Sequence, residues 1–299
     1  MRRQILTAVL LAVLGALLLP AAASAWSNGP SGPNSFGTHD WILKEADRLA
    51  AQKDAGWVRL AVALPRTDDP DTVFHDTYYH VYDVWGSKYG NAPKKVALYY
   101  GKALAARKAG RWREASKWVG IMSHDSADIC NPLHTDQSDA EEPIHSAYEH
   151  DVQTYSDSPG ENRVWVRFNG YRPARSVAGL TRTTAAASHT QYAALVEEYA
   201  GSGMSAATLA ITRKSLNRAA NGLADLIISI KRRVNGGTSA GSSSSGGGGD
   251  TGVTVYITKT GEKYHRNGCR YLSQSKIAIS LAKAKAQGYT PCSVCDPPQ

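Results

Sequence analysis

The 299 residues carry 34 Lys and Arg against 26 Asp and Glu, a formal charge of +8, and contain four cysteines. That length suffices for one well-buried domain plus a smaller module, and four cysteines are too few for a disulfide-built scaffold. A modest basic excess suits anionic membranes and nucleic acid equally, so charge selects no substrate.

The chain opens with Arg2 and Arg3, an apolar run over residues 5–19, and the small-residue site Ala23-Ser24-Ala25. This pattern predicts a signal peptide over residues 1–25 and an exported, extracellular protein. The apolar run falls short of the roughly 20 residues needed to cross a bilayer. Cleavage after Ala25 would leave Trp26 as a new N-terminus with a free α-amino group.

Apolar residues at three-to-four spacing predict helices over 38–52, 93–109, 113–129, 138–155 and 206–234, with Gly110 as a stop between the second and third. Strand signals are few, the segment 164–168 among them. The expectation is a mainly α protein: a multi-helix bundle over 26–235, a Gly/Ser-rich tether over 236–250, and a small α+β module over 251–299. In that module, 253–258 reads as a strand and 277–287 as a helix.

His124 and Asp128 stand four residues apart, as do His145 and Glu149, with His134 between the two pairs in Asn-Pro-Leu-His. Residues four apart on a helix share one face, so a single cation can take both an imidazole nitrogen and a carboxylate oxygen. One such pair is commonly a surface ion pair. Two within so short a stretch point to inward-facing metal ligands of a helical bundle.

With Trp26 directly after the cleavage site and His39 thirteen residues on, the order and spacing resemble those of the secreted bacterial zinc-dependent phospholipases C. The resemblance implies three zinc ions. His80, His124, Asp128 and a loop aspartate would hold one; Trp26, through its α-amino nitrogen and carbonyl oxygen, would hold a second with His39 and the bridging Asp128. His134, His145 and Glu149 would hold the third. Asp68 is the favoured loop ligand and proton acceptor, twelve residues before His80, with Asp69 next and Asp71 a further candidate. The implied activity is hydrolysis of the glycerol-side phosphodiester of a phospholipid, at a membrane surface and by a monomer, to diacylglycerol and a phosphorylated headgroup.

Secreted three-zinc single-strand nucleases form the alternative. They also begin with tryptophan and share the pattern seen in SHDSADICNPLH, which would make nucleic acid the partner. The Trp26 to His39 separation and the Glu149 in His-x-x-x-Glu favour the lipase form. A non-catalytic zinc-binding surface protein is a third reading, opposed by the completeness of the ligand set.

The end of the chain pairs His265 with Cys269 and Cys292 with Cys295, a frame suited to one further, structural zinc. A disulfide from Cys269 to Cys292 or Cys295 is the competing expectation, and it leaves one thiol over. This stretch resembles the small metal-binding module of the bacterial Ada DNA-repair protein.

Overall fold

The computed structural model describes residues 26, 35–85, 89–136, 138–156, 165–238, 253–258, 261, 263–286 and 289–298. The predicted signal peptide, and the tether from residue 239 on, lie outside the described residues. The chain divides into two compact units, Met1–Ala240 and Gly241–Gln299.

The first unit is built from helices α1 (Thr38–Ala51), α2 (Ala92–Lys108), α3 (Trp112–Asp128), α4 (His145–Ser156), α5 (Val177–His189), α6 (Tyr192–Ser202) and α7 (Ala206–Thr238). The start of α1 is fixed by Asp40, whose carboxylate accepts the Gly37 N–H at 2.9 Å. Pro93 sits in the first turn of α2, where its missing N–H costs nothing. The link from α2 to α3 turns at Gly110, whose φ of 71° lies in the left-handed region that glycine adopts without strain.

Helix α2 packs along α3, while α7 packs along α1 and also meets α3. Their shared core holds Ile42, Leu43, Leu49, Val119, Ile121, Met122, Leu216 and Ile227, all fully buried. Each such aliphatic side chain contributes about 1.5–3 kcal/mol through burial. This mainly α architecture is the one expected from the periodicity.

Several local expectations are corrected. Helix α4 begins at His145, not at 138, because Pro143 precedes it and residues 139–144 are spent in turns. Helices α5 and α6 lie outside the stretches predicted helical: α5 is rich in Thr and Ala with few large apolar residues, while α6 is short and buries only Tyr192, Leu195 and Tyr199. No strand forms over 165–168. The backbone there runs extended along α7 instead, and side chains one turn apart serve it in place of a sheet. Asn217, Asn221, Asp225 and Ser229 accept the N–H groups of Arg167, Asn169, Arg172 and Ala174 at 2.8–3.1 Å. Helix α7 also runs on to Thr238, so the first three residues of the expected tether are helical.

In the second unit, β1 (Thr254–Ile257) pairs antiparallel with β3 (Ile277–Ser280), and β2 (Lys263–Tyr264) pairs parallel with β4 (Thr290–Pro291). Helix α8 (Leu281–Ala286) follows β3. The helix expected over 277–287 is therefore strand in its first four residues. There the β-branched Ile277 and Ile279 stand opposite Ile257 and Val255 and join the ladder. Val255, Ile257, Tyr264 and Ala284 make a small core of their own.

Candidate metal centre

Helix α3 carries His124 and Asp128 on one buried face, both fully shielded from solvent. The His124 Nδ1–H donates to the Thr67 carbonyl at 2.7 Å, which leaves Nε2 turned inward. Thr67 is itself tied to the start of α1, its hydroxyl 2.9 Å from Asp40 Oδ1. That tie brings His39 across, with its ring stacked on His124 at 3.9 Å between centroids and its Nε2 3.3 Å from Asp128 Oδ1.

His80 completes this side of the cluster. Its Nδ1 lies 3.3 Å from Asp71 Oδ1 and 3.8 Å from Asp128 Oδ2. His124 Nε2 lies 3.6 Å from the same Asp71 oxygen and 3.4 Å from Asp128 Oδ2. Asp128 thus faces His39 with one oxygen and His80 and His124 with the other.

A neighbouring group forms where the 3-10 turn Pro132–Thr135 meets α4. Asn131 caps that turn by accepting the Leu133 N–H at 3.2 Å, and its Nδ2 donates to Glu149 Oε1 at 2.9 Å. His134 donates from Nδ1 to the His80 carbonyl at 3.1 Å, which ties the two groups together. Its Nε2 lies 3.1 Å from both Glu149 Oε1 and His145 Nε2. His145 is oriented from behind by Glu141, 2.6 Å from its Nδ1. This Glu-x-x-x-His spacing, one helical turn, is the signal in the sequence that marks Glu141 as a partner of His145.

Ligand atoms within 4.8 Å of one another therefore gather in three buried or half-buried groups: His39, His124 and Asp128; Asp71, His80 and His124; His134, His145 and Glu149. Both ring nitrogens of His39, Nε2 of His80 and of His124, both oxygens of Asp128 and Oε2 of Glu149 are buried without a hydrogen-bond partner. A buried polar atom left unpaired costs about 1–3 kcal/mol, and native proteins leave few. So many converging at one place fit divalent cations, and the nitrogen and carboxylate donors suit zinc.

The electrostatics agree. Burial lowers His39 well below its ordinary pKa and His80 to about 3, so both rings are neutral and able to ligate at working pH. Burial also opposes charge on His124, but Asp128 and Asp71 outweigh it and push that ring up to about 10. At His145, burial is likewise outweighed by Glu149 and Glu141, and its pKa is pushed up to about 10. Burial raises Asp128 well above the carboxylate range. Protons held at these positions are what a cation would displace.

The loop aspartate differs from the expectation. Asp71, not Asp68 or Asp69, joins His80 and His124 in a ligand group. Asp68 is buried and its carbonyl accepts the Asp71 and Thr72 N–H groups at the head of the helical turn Asp69–Thr72, while Asp69 lies 3.6 Å from Arg66. Within that turn successive side chains rotate by roughly 100°. Spacing from His80 therefore does not track which carboxylate faces the cluster.

Trp26 is fully buried, its Nε1–H donating to the Ala127 carbonyl at 3.1 Å, one residue before Asp128. Its ring lies 6.0 Å from that of Tyr148 on α4.

In the second unit His265, Cys269, Cys292 and Cys295 are all buried, with ligand atoms within 4.8 Å of one another. His265 Nδ1 lies 3.2 Å from Cys269 Sγ and 3.9 Å from Cys295 Sγ, which also receives the Arg266 N–H at 3.3 Å. Burial would raise the Cys292 thiol, but the N–H groups of Val294 and Cys295 and the adjacent thiols pull it down. All four cysteines of the chain are unbridged.

A helical bundle enclosing adjoining His and carboxylate clusters, followed by a small strand-containing unit, is the class of protein defined here. Among solved structures the fold is similar to that of the alpha toxin from Clostridium absonum, at 13% identity and a TM-score of 0.52 over 82% of this chain and 77% of that one. The alpha-toxin of an avian strain of Clostridium perfringens gives 17% identity and a TM-score of 0.49 over 76% and 70%. No family model matches the chain. No curated protein matches it either.

Proposed function

We propose that the chain is a secreted, zinc-dependent phosphodiesterase of the phospholipase C kind, cleaving the glycerol-side P–O bond of phospholipids. The observation that carries this reading is Asp128, whose two unpartnered oxygens face His39 on one side and His80 and His124 on the other. A carboxylate so placed is suited to join two cation positions, and the His134–His145–Glu149 group supplies a third nearby. The Clostridium absonum alpha toxin supports the reading through its shared fold.

His39 and Asp128, with the terminal amine and carbonyl of a processed Trp26, would hold one cation; Asp71, His80, His124 and Asp128 would hold another. When bound, the cations supply the Lewis acidity and the acidified water that phosphodiester hydrolysis requires. The protein's own contribution is orientation. Thr67 and Glu141 fix the rings of His124 and His145, and Asn131 fixes Glu149. Asp71 replaces Asp68 as the loop ligand and as the acceptor of a proton from the attacking water, since its side chain is 15% exposed at the edge of a buried cluster. In the second unit His265, Cys269, Cys292 and Cys295 would hold one structural zinc, in a module read as Ada-like and given no catalytic role.

The test is a paired assay of the processed protein on phosphatidylcholine vesicles and on single-stranded DNA, with and without a chelator. Chelator-sensitive release of diacylglycerol with intact DNA is the expected result. Chelator-sensitive cleavage of DNA alone would select the nuclease reading.

A further inference from the structure

Away from the metal centre, an open cleft of about 720 Å³ lies between the helical turn Leu60–Ala63, the Gly110 link and the first turns of α3. Its size is that of a small-molecule site, typically about 300–1,000 Å³. Arg59, Arg66, Arg111, Arg113 and Lys117 line it together with Trp112. The distance from Trp112 to His124 along α3 is about 18 Å at the helical rise per residue, so the cleft is separate from the metal ligands.

Its walls are held by backbone contacts. The Arg59 N–H donates to the buried Ser116 Oγ at 3.0 Å. Gly120 lets the Leu60–Ala63 turn lie against α3, where any Cβ would come within 2.1 Å of the Ala63 carbonyl. That close approach sets Arg59 and Arg66 beside the start of α3.

The charge is left largely unanswered. Glu114, the acid in the lining, is taken by Arg111 at 2.5 Å, and Arg66 leans toward Asp69 at 3.6 Å. Among the described residues no ion pair joins Arg59 or Arg113. Outside the lining, the buried Arg107 guanidinium lies 3.2 Å from the Trp112 ring centroid and adds positive charge next to it. Arg59, Arg66, Arg111 and Arg113 are exposed, so water and salt screen their repulsion only in part, and an anion joining them relieves it. One carboxylate would neutralise little of this cluster. A phosphate of two or more negative charges matches both the charge and the forked geometry of arginine.

We propose that this cleft binds a phosphate-bearing polyanion, either a soluble phosphate compound or the phosphomonoester headgroup of an anionic lipid. The site goes beyond the phosphodiesterase reading and does not depend on it. The test titrates pyrophosphate into the full-length processed protein and follows the amide resonance of Gly110 and the indole resonance of Trp112, both residues that line this cleft. Both should shift and saturate, with affinity falling as salt rises. R59A/R113A should lose at least about tenfold in affinity at these probes, and R59K/R113K should recover part of it, since lysine keeps charge but not the fork. Hydrolysis by the metal centre should be unchanged in both. Flotation with phosphatidylcholine vesicles, with and without phosphatidic acid, separates the sources. Loss of phosphatidic acid binding in R59A/R113A assigns the lipid headgroup, and unaltered vesicle binding with lost pyrophosphate binding assigns the soluble ligand. Absence of a saturable Gly110 shift in the wild type, a measurement independent of any variant's folding, overturns the proposal. So does wild-type affinity in R59A/R113A.

Discussion

His39 Nε2 lies 3.3 Å from Asp128 Oδ1, although one opens α1 and the other closes α3. The contact exists because Thr67 bonds both the Asp40 carboxylate beside His39 and the His124 ring one turn before Asp128. Replacing Asp128 by Asn keeps the shape and removes the charge that the two proposed cation positions would share. Hydrolysis should fall by more than the roughly 10- to 100-fold typical of ligand-orienting partners. Elemental analysis should show the variant short of metal. Full metal content in an inactive D128N would point to a role other than ligation.

Asp71 and Asp68 separate under the same treatment. D71N should lose metal and activity, while D68N should keep both, because Asp68 holds the helical turn Asp69–Thr72 through its backbone carbonyl, which the substitution leaves in place. Metal content and activity of the two variants decide the matter. Loss of metal in D68N alone would restore the choice made from spacing.

The buried histidines set a pH dependence with a definite sign. His124 and His145 are pushed up to about 10 in the metal-free protein. Their contribution to stability is therefore complete below the ordinary histidine pKa of about 6.5 and is lost as pH rises toward 10. The chelated protein should melt earlier at pH 10 than at pH 7. Metal binding must displace these protons, so calorimetry in buffers of different ionisation enthalpy should show proton release near neutral pH, and affinity should fall on acidification.

Processing should matter chemically. A variant retaining one alanine ahead of Trp26 keeps the indole but converts its amine to an amide, and hydrolysis should drop sharply with little change in melting temperature. W26A, by contrast, empties a fully buried site and should cost about 3–5 kcal/mol of stability. Undiminished activity in the extended variant would rule out ligation by the terminal amine.

In the second unit, C292S should release that unit's zinc and leave hydrolysis by the first unit intact. Native mass spectrometry of the two proteins, differing by one metal ion, would show it.

The helices that carry the candidate ligands were legible because 3.6-residue periodicity and the i,i+4 pairs His124/Asp128 and His145/Glu149 are properties of one helix each. What escaped depends on contacts between elements. The extended stretch at 165–174 looks like a strand because its partners, Asn217 to Ser229, are side chains of a distant helix. The loop aspartate escaped for a similar reason: a single helical turn at Asp69–Thr72 decides which carboxylate faces His80. In the second unit, Ile277 and Ile279 could serve either a helix or a strand until β1 supplies the ladder.

The most direct measurement is anomalous scattering at the zinc edge from crystals of the processed protein. Peaks should lie between His39 and Asp128, among Asp71, His80 and His124, and among His134, His145 and Glu149. Zinc confined to His265 and the three C-terminal cysteines, with none at these positions, would contradict the account.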